Sequence, residues 1–175
     1  MEYVLIAIVV VPALLLGALV LAQSGEPPSA GQPAPALDLP GTDGTRHALA
    51  RGRRAVVFFF PMDDTPECLA VLAKYREAHP RLEAAGVRLL AVAVATPEAA
   101  RAYAEAQSLP FPILADEGGR VAKAWGTFVN LLVLRFSKKF TALVGEGGAI
   151  ERAWRDAAGP GHVDDVLAHV ERRPA

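Results

Sequence analysis

Residues 58–77 read FFFPMDDTPECLAVLAKYRE. The run AVVFFF over residues 55–60 is uninterrupted and apolar, which predicts a β-strand buried on both faces. Apolar side chains recur near helical spacing from residue 67 to residue 84, so this part predicts a helix. The stretch therefore predicts a buried strand, a loop over residues 61–66 and a helix whose first turn contains Cys68.

Cys68 is the one cysteine in the chain of 175 residues, so neither an intramolecular disulfide nor a cysteine-rich metal site can form. The N-terminus of a helix presents unpaired N–H groups and a partial positive charge, and both favour a thiolate. A free cysteine is only about 3% thiolate at neutral pH, but this placement can lower its pKa. We expect Cys68 to be a reactive nucleophile, and the alternative is a small, inert core residue.

Pro61, Thr65 and Cys68 have the spacing Pro-x-x-x-Thr-x-x-Cys. Here the sequence resembles the peroxiredoxins, in particular their Q-type (bacterioferritin comigratory protein) branch. Further similar segments are APALDLPGTDGTRHAL (34–49), the Tyr75-Arg76-Glu77 run, LPFPILAD (109–116) and GHVDDVLAHV (161–170). The resemblance extends over about residues 31–170 and implies a thioredoxin-like fold with an N-terminal β-hairpin.

The resemblance also implies roles for the three motif residues. Pro61 would shield the thiolate, the Thr65 hydroxyl would hydrogen-bond the bound peroxide, and Cys68 would attack one peroxide oxygen to give a sulfenic acid. This branch of the family often has a resolving cysteine five residues after the first, where this chain has Ala73. The expected cycle therefore uses one cysteine and an external thiol reductant, either a thioredoxin-like protein or a low-molecular-weight thiol.

The sequence offers more than one cation that could serve the thiolate. Peroxiredoxins use an arginine just before a late strand, whereas the register here places Lys139 at that point and Arg135 a few residues earlier. Lysine supplies charge but lacks the planar fork of donors, so both residues are candidates, as is Arg76. Glu67 takes the place of the usual glycine, and Asp63 and Asp64 are nearby. A carboxylate close to the sulfur would raise the thiol pKa.

The rest of the chain alternates predicted strands and helices, which indicates an α/β fold with a central mixed sheet flanked by helices. An Asp-Gly turn at residues 43–44 predicts the first hairpin. The other predicted elements are strands over residues 87–94 and 111–114, helices over 96–107, 118–125 and 162–172, and a hairpin over 141–154. The apolar segment 128–136 predicts a strand, a contact with a second copy of the chain, or a surface near the membrane.

Residues 3–22 carry no charge, and a helix of 20 residues would span about 30 Å, the thickness of a bilayer core. A cleaved signal peptide ending at Val20-Leu21-Ala22 is the alternative, but no Lys or Arg precedes the run. We therefore predict a transmembrane helix or signal anchor at 1–22, a Pro/Gly/Ser-rich linker at 23–35 and a domain at 36–173. The predicted localisation is a single-pass membrane protein with its domain outside the cytoplasm.

The leading functional hypothesis is a peroxidase that reduces hydrogen peroxide or organic hydroperoxides. The alternative is a non-catalytic, membrane-anchored thioredoxin-like module for interaction or assembly, while the absence of Cys-x-x-Cys argues against a typical disulfide oxidoreductase. The four histidines have no ligand spacing, so we expect neither a metal nor another cofactor. A net charge of −1 gives no reason to expect nucleic-acid binding. A homodimer is one possible assembly.

Overall fold

The fold is known from a computed structural model that describes residues 25–131, 134–155, 157 and 159–172. The strands are β1 (Asp38–Pro40), β2 (Arg46–Ala48), β3 (Ala55–Phe59), β4 (Arg88–Ala93), β5 (Ile113–Ala115), β6 (Phe128–Leu131), β7 (Leu134–Ser137), β8 (Phe140–Val144) and β9 (Ile150–Trp154). The helices are α1 (Pro66–Ala84), α2 (Pro97–Ala106), α3 (Arg120–Ala124) and α4 (Gly161–Glu171), with a 3-10 helix at Glu117–Gly119.

Five strands form the central sheet, in the order β5-β4-β3-β8-β9. The pairs β3–β4 and β4–β5 are parallel, whereas β3–β8 and β8–β9 are antiparallel. The predicted mixed α/β sheet is confirmed. Two separate hairpins, β1–β2 and β6–β7, complete the strands, and the second of them accounts for most of the apolar segment 128–136.

Strand β3 lies at the middle of the sheet, and all five of its residues are buried. Val56 and Phe58 belong to the core cluster on the side of α1 and α4, while Val57 and Phe59 belong to the cluster on the other face. The sequence therefore lacks the polar alternation of a half-exposed strand because neither face meets water. The loop that precedes Cys68 follows directly after the end of β3.

A buried polar network fixes the middle of α1 to the sheet and to α4. Tyr75 Oη lies 3.2 Å from Thr141 Oγ1 and 3.3 Å from His162 Nε2, and Thr141 Oγ1 is 3.3 Å from the same nitrogen. His162 Nδ1 donates to the carbonyl of Gly159 at 2.7 Å, so Nε2 is left as an acceptor for a hydroxyl. Burial lowers the pKa of His162, which favours the neutral ring that this arrangement needs.

The segment predicted to be a linker contacts the domain from residue 26 onward. Gly31 N–H donates to the carbonyl of Ile150 at 2.8 Å, and Ala34 N–H donates to the carbonyl of Gly148 at 2.9 Å. Arg155 Nη1 forms an ion pair with Glu26 Oε1 at 2.7 Å. This part of the Pro/Gly/Ser-rich segment thus lies along the β8–β9 hairpin.

The predicted membrane localisation requires a correction. The proposed transmembrane helix at residues 3–22 lies outside the described residues, and within the described ranges no helix combines the length and the apolar character needed to cross a bilayer. The longest, α1, has 19 residues but includes charged side chains such as Glu67 and Arg81. This finding contradicts the prediction of a single-pass membrane protein with an extracytoplasmic domain.

Candidate active site

Cys68 lies in the first turn of α1, immediately beyond the end of the central strand. Thr65 is the N-cap residue of this helix, and its hydroxyl oxygen accepts a hydrogen bond from the Cys68 backbone N–H at 3.3 Å. Pro66 follows as the first helical residue, a position where its missing N–H costs nothing. The predicted placement of Cys68 at a helix N-terminus is confirmed, and its side chain is only 1% exposed.

The loop between β3 and α1 has an uncommon backbone. Met62 follows Pro61 and has a φ of +54°, in the left-handed region that non-glycine residues seldom adopt. Such positions cost free energy and tend to occur at functional sites. Beyond this turn, the Thr65 hydroxyl donates to Asp63 Oδ1 at 2.7 Å. The turn thus brings a carboxylate and a hydroxyl to the start of α1.

The Cys68 thiol is less acidic than its position in the helix suggests. Burial, followed by the negative charge of Asp63 and a hydrogen bond to its carboxylate, raises the pKa of Cys68 to about 11. Lys139 and the Tyr103 hydroxyl act in the opposite direction and lower this pKa. The expectation of a lowered pKa is therefore wrong, because the loss of hydration outweighs the favourable influences around the sulfur.

Of the two cations predicted from the late part of the sequence, Lys139 lies at the site. Its positive charge lowers the pKa of Cys68. Its Nζ also lies 3.6 Å from Glu67 Oε2. Arg135 instead is exposed on β7, where it pairs with Asn130 across the hairpin. Among the described residues, the structure thus brings together Cys68, Thr65 and Lys139 but places Arg135 on a separate hairpin.

The structure also shows where the other charged residues near the motif lie relative to Cys68. Arg76 donates to the carbonyl of Gln107 at 3.4 Å on the exposed side of α1. The Glu67 side chain is largely exposed and pairs with Lys139, whereas Asp63 is the carboxylate that acts on the sulfur. The predicted effect of a nearby carboxylate on the thiol pKa is therefore confirmed for Asp63, whereas Glu67 is not among the main influences on the sulfur.

Sequence reasoning missed Tyr103 as a part of this site. Tyr103 comes from α2, and its hydroxyl donates to the main-chain carbonyl of Asp63 at 2.9 Å. Its only sequence signal is the spacing of three from Ala100, which places both on one face of the helix and is equally typical of core packing.

Residues 30–153 match the model of the AhpC/TSA family. The chain is 30% identical over 148 residues to a putative peroxiredoxin, bcp, of Coxiella burnetii, which covers 80% of this chain and 97% of that protein. A putative peroxiredoxin of Mycobacterium tuberculosis is 32% identical over 139 residues, which is 76% of this chain and 88% of the relative.

A solved structure of the Xanthomonas campestris bacterioferritin comigratory protein, studied for its alkyl peroxide reduction activity, is also similar to this chain. It aligns with a TM-score of 0.68 and 25% identity over 77% of this chain and 90% of that one. This likeness confirms the predicted thioredoxin-like arrangement of the sheet and helices.

Proposed function

Because the chain belongs to the AhpC/TSA family, as a Q-type peroxiredoxin, we propose that Cys68 is the residue through which it reduces peroxide. The protein is a thiol-dependent peroxidase with a single cysteine. One observation carries the assignment to residues: the one cysteine of the chain lies in the first turn of a helix that Thr65 caps, where the charge of Lys139 favours the thiolate.

In the first half of the cycle, the Cys68 sulfur attacks one oxygen of the hydroperoxide. A sulfur–oxygen bond forms as the O–O bond breaks, and the departing alkoxide or hydroxide takes up a proton. We assign to the Thr65 hydroxyl, which donates to Asp63 in the resting site, the donation of a hydrogen bond to a peroxide oxygen, and to Lys139 the supply of positive charge for the developing anion. Pro61 is assigned the shielding of the thiolate from water.

In the second half, an external thiol must reduce the sulfenic acid. Ala73 occupies the position where a resolving cysteine would be expected, and the chain has no other cysteine. The incoming thiol forms a mixed disulfide with Cys68 and releases water, and a second thiol then frees Cys68. Organic hydroperoxides are the proposed substrate class, supported by the alkyl peroxide reduction activity of the Xanthomonas campestris relative.

A stoichiometric reaction tests this proposal. One equivalent of an alkyl hydroperoxide is expected to convert Cys68 to a sulfenic acid. Dimedone then traps it as a thioether at Cys68 with loss of water, which peptide mass spectrometry detects. Sustained consumption of hydroperoxide is expected only when a thiol reductant is added. Hydroperoxide consumption without any change at Cys68 would contradict the assignment.

The choice between the two candidate cations can be made with paired variants. We expect Lys139→Gln to raise the Cys68 pKa by about one unit, since an opposite charge nearby favours the thiolate. Arg135→Gln is expected to leave it nearly unchanged, because Arg135 is exposed on the β6–β7 hairpin. The measurement is the rate of iodoacetamide alkylation against pH, and a larger shift in the Arg135 variant would assign the role to that residue instead.

A further inference from the structure

The Tyr103 hydroxyl reaches the active-site loop from a different part of the chain. Its residue lies on α2, 40 positions after Asp63, and its hydroxyl donates to the Asp63 carbonyl at 2.9 Å. The ring packs beside Phe60, with the ring centroids 6.4 Å apart. This hydroxyl therefore occupies a fixed position next to the turn that leads into Cys68.

A thiolate at Cys68 would need hydrogen-bond donors, because its side chain is almost fully removed from water. The nearby donors are largely engaged elsewhere. The Cys68 N–H is bonded to Thr65, the Thr65 hydroxyl donates to Asp63, and the charge of Lys139 is partly offset by Glu67. Any anion formed at the sulfur thus lacks a committed partner among these groups.

The Tyr103 hydroxyl and the Cys68 thiol affect each other's pKa. The hydroxyl acts to lower the pKa of Cys68, while burial, the Cys68 charge and the nearby Asp64 and Asp63 raise the pKa of Tyr103. A phenol with a raised pKa keeps its proton across the physiological range. Tyr103 is therefore an O–H donor whenever Cys68 ionises.

We propose that Tyr103 is a catalytic residue, whose O–H turns from the Asp63 carbonyl to the Cys68 sulfur when the thiol ionises and stabilises the thiolate that attacks peroxide. A phenol has one proton to donate, so it serves one acceptor at a time. The Asp63 carbonyl holds it in the resting state, and the anionic sulfur is the stronger acceptor. This inference rests on the proposed function, in which Cys68 is the attacking residue.

The test uses Tyr103→Phe, which keeps the ring against Phe60 and removes only the hydroxyl. We expect the apparent pKa of Cys68, measured from iodoacetamide alkylation against pH, to rise by about one unit, and the second-order rate with an alkyl hydroperoxide at pH 7 to fall about tenfold. Tyr75→Phe is the matched control. It removes a buried hydroxyl from the Thr141–His162 network, away from the sulfur, and should leave both quantities unchanged.

An alkylation profile for Tyr103→Phe that superimposes on the wild-type profile would overturn the proposal. Circular dichroism establishes that each variant is folded, and Tyr103→Met serves as a second variant that fills the same space without a hydroxyl. The alkylation measurement does not depend on peroxide, so failure of the proposed function would appear separately, as a wild-type protein that alkylates normally but does not react with hydroperoxide.

Discussion

Cys68→Ser is expected to abolish peroxide reduction, with kcat/KM falling by about 10³-fold or more, because the serine hydroxyl does not ionise in the range where a thiol does. No second cysteine can take over the reaction. Serine is close in size to cysteine and can donate to the same Asp63 carboxylate, so the fold should be retained. Consumption of an alkyl hydroperoxide with excess thiol measures the loss.

The pH dependence of Cys68 alkylation in the wild-type protein adds to this test. With the pKa of Cys68 raised to about 11, the thiolate fraction and the alkylation rate should increase about tenfold for each pH unit from pH 7 to pH 10.

Residual activity of Cys68→Ser within a factor of about ten of the wild type would contradict the assignment of the nucleophile. Matching circular dichroism spectra and thermal transitions provide the control for folding.

The second large effect is expected for Thr65→Val, which replaces the hydroxyl with a methyl group of similar size. Two losses should follow. Helix α1 loses its N-cap acceptor for the Cys68 N–H, which costs about 1 kcal/mol of stability. The reaction loses a donor to the peroxide, for which we expect kcat/KM to fall about 10²-fold. Thr65→Ser retains the hydroxyl and should recover most of the activity.

The chain offers a matched control for the capping loss. Thr96 is the N-cap residue of α2 and accepts a hydrogen bond from the Ala99 N–H at 3.2 Å. Thr96→Val should therefore lower the free energy of unfolding by a similar amount, about 1 kcal/mol, with only a small change in kcat/KM. Urea unfolding together with peroxidase assays separates the two effects. Equal losses of activity in the Thr65 and Thr96 variants would reduce Thr65 to a structural role.

The strand, loop and helix around Cys68 could be predicted because their signals are local. A buried apolar run, an N-cap threonine and a proline at the first helical position lie within a few residues of one another. The hairpin at residues 43–44 and the final hairpin were predictable for the same reason, since turn residues separate short apolar runs.

The properties of the site that were missed depend on contacts distant in sequence. The raised pKa of Cys68 follows from burial by the assembled core, which no local pattern reveals. Tyr103 reaches the site from a separate helix, and the position of Lys139 relative to Arg135 depends on the register of the strand that follows. The membrane localisation came from hydropathy alone, and the described helices contradict it.

The Tyr75–Thr141–His162 network restricts how the oxidised sulfur can be reached. It pins α1 two turns beyond Cys68, whereas the helix end before Cys68 is held by the Thr65 cap. Helix ends fray far more readily than segments anchored in a core. We therefore expect a bulky thiol to reach the oxidised sulfur through transient unwinding of the first turn of α1 rather than through movement of the part that the network anchors.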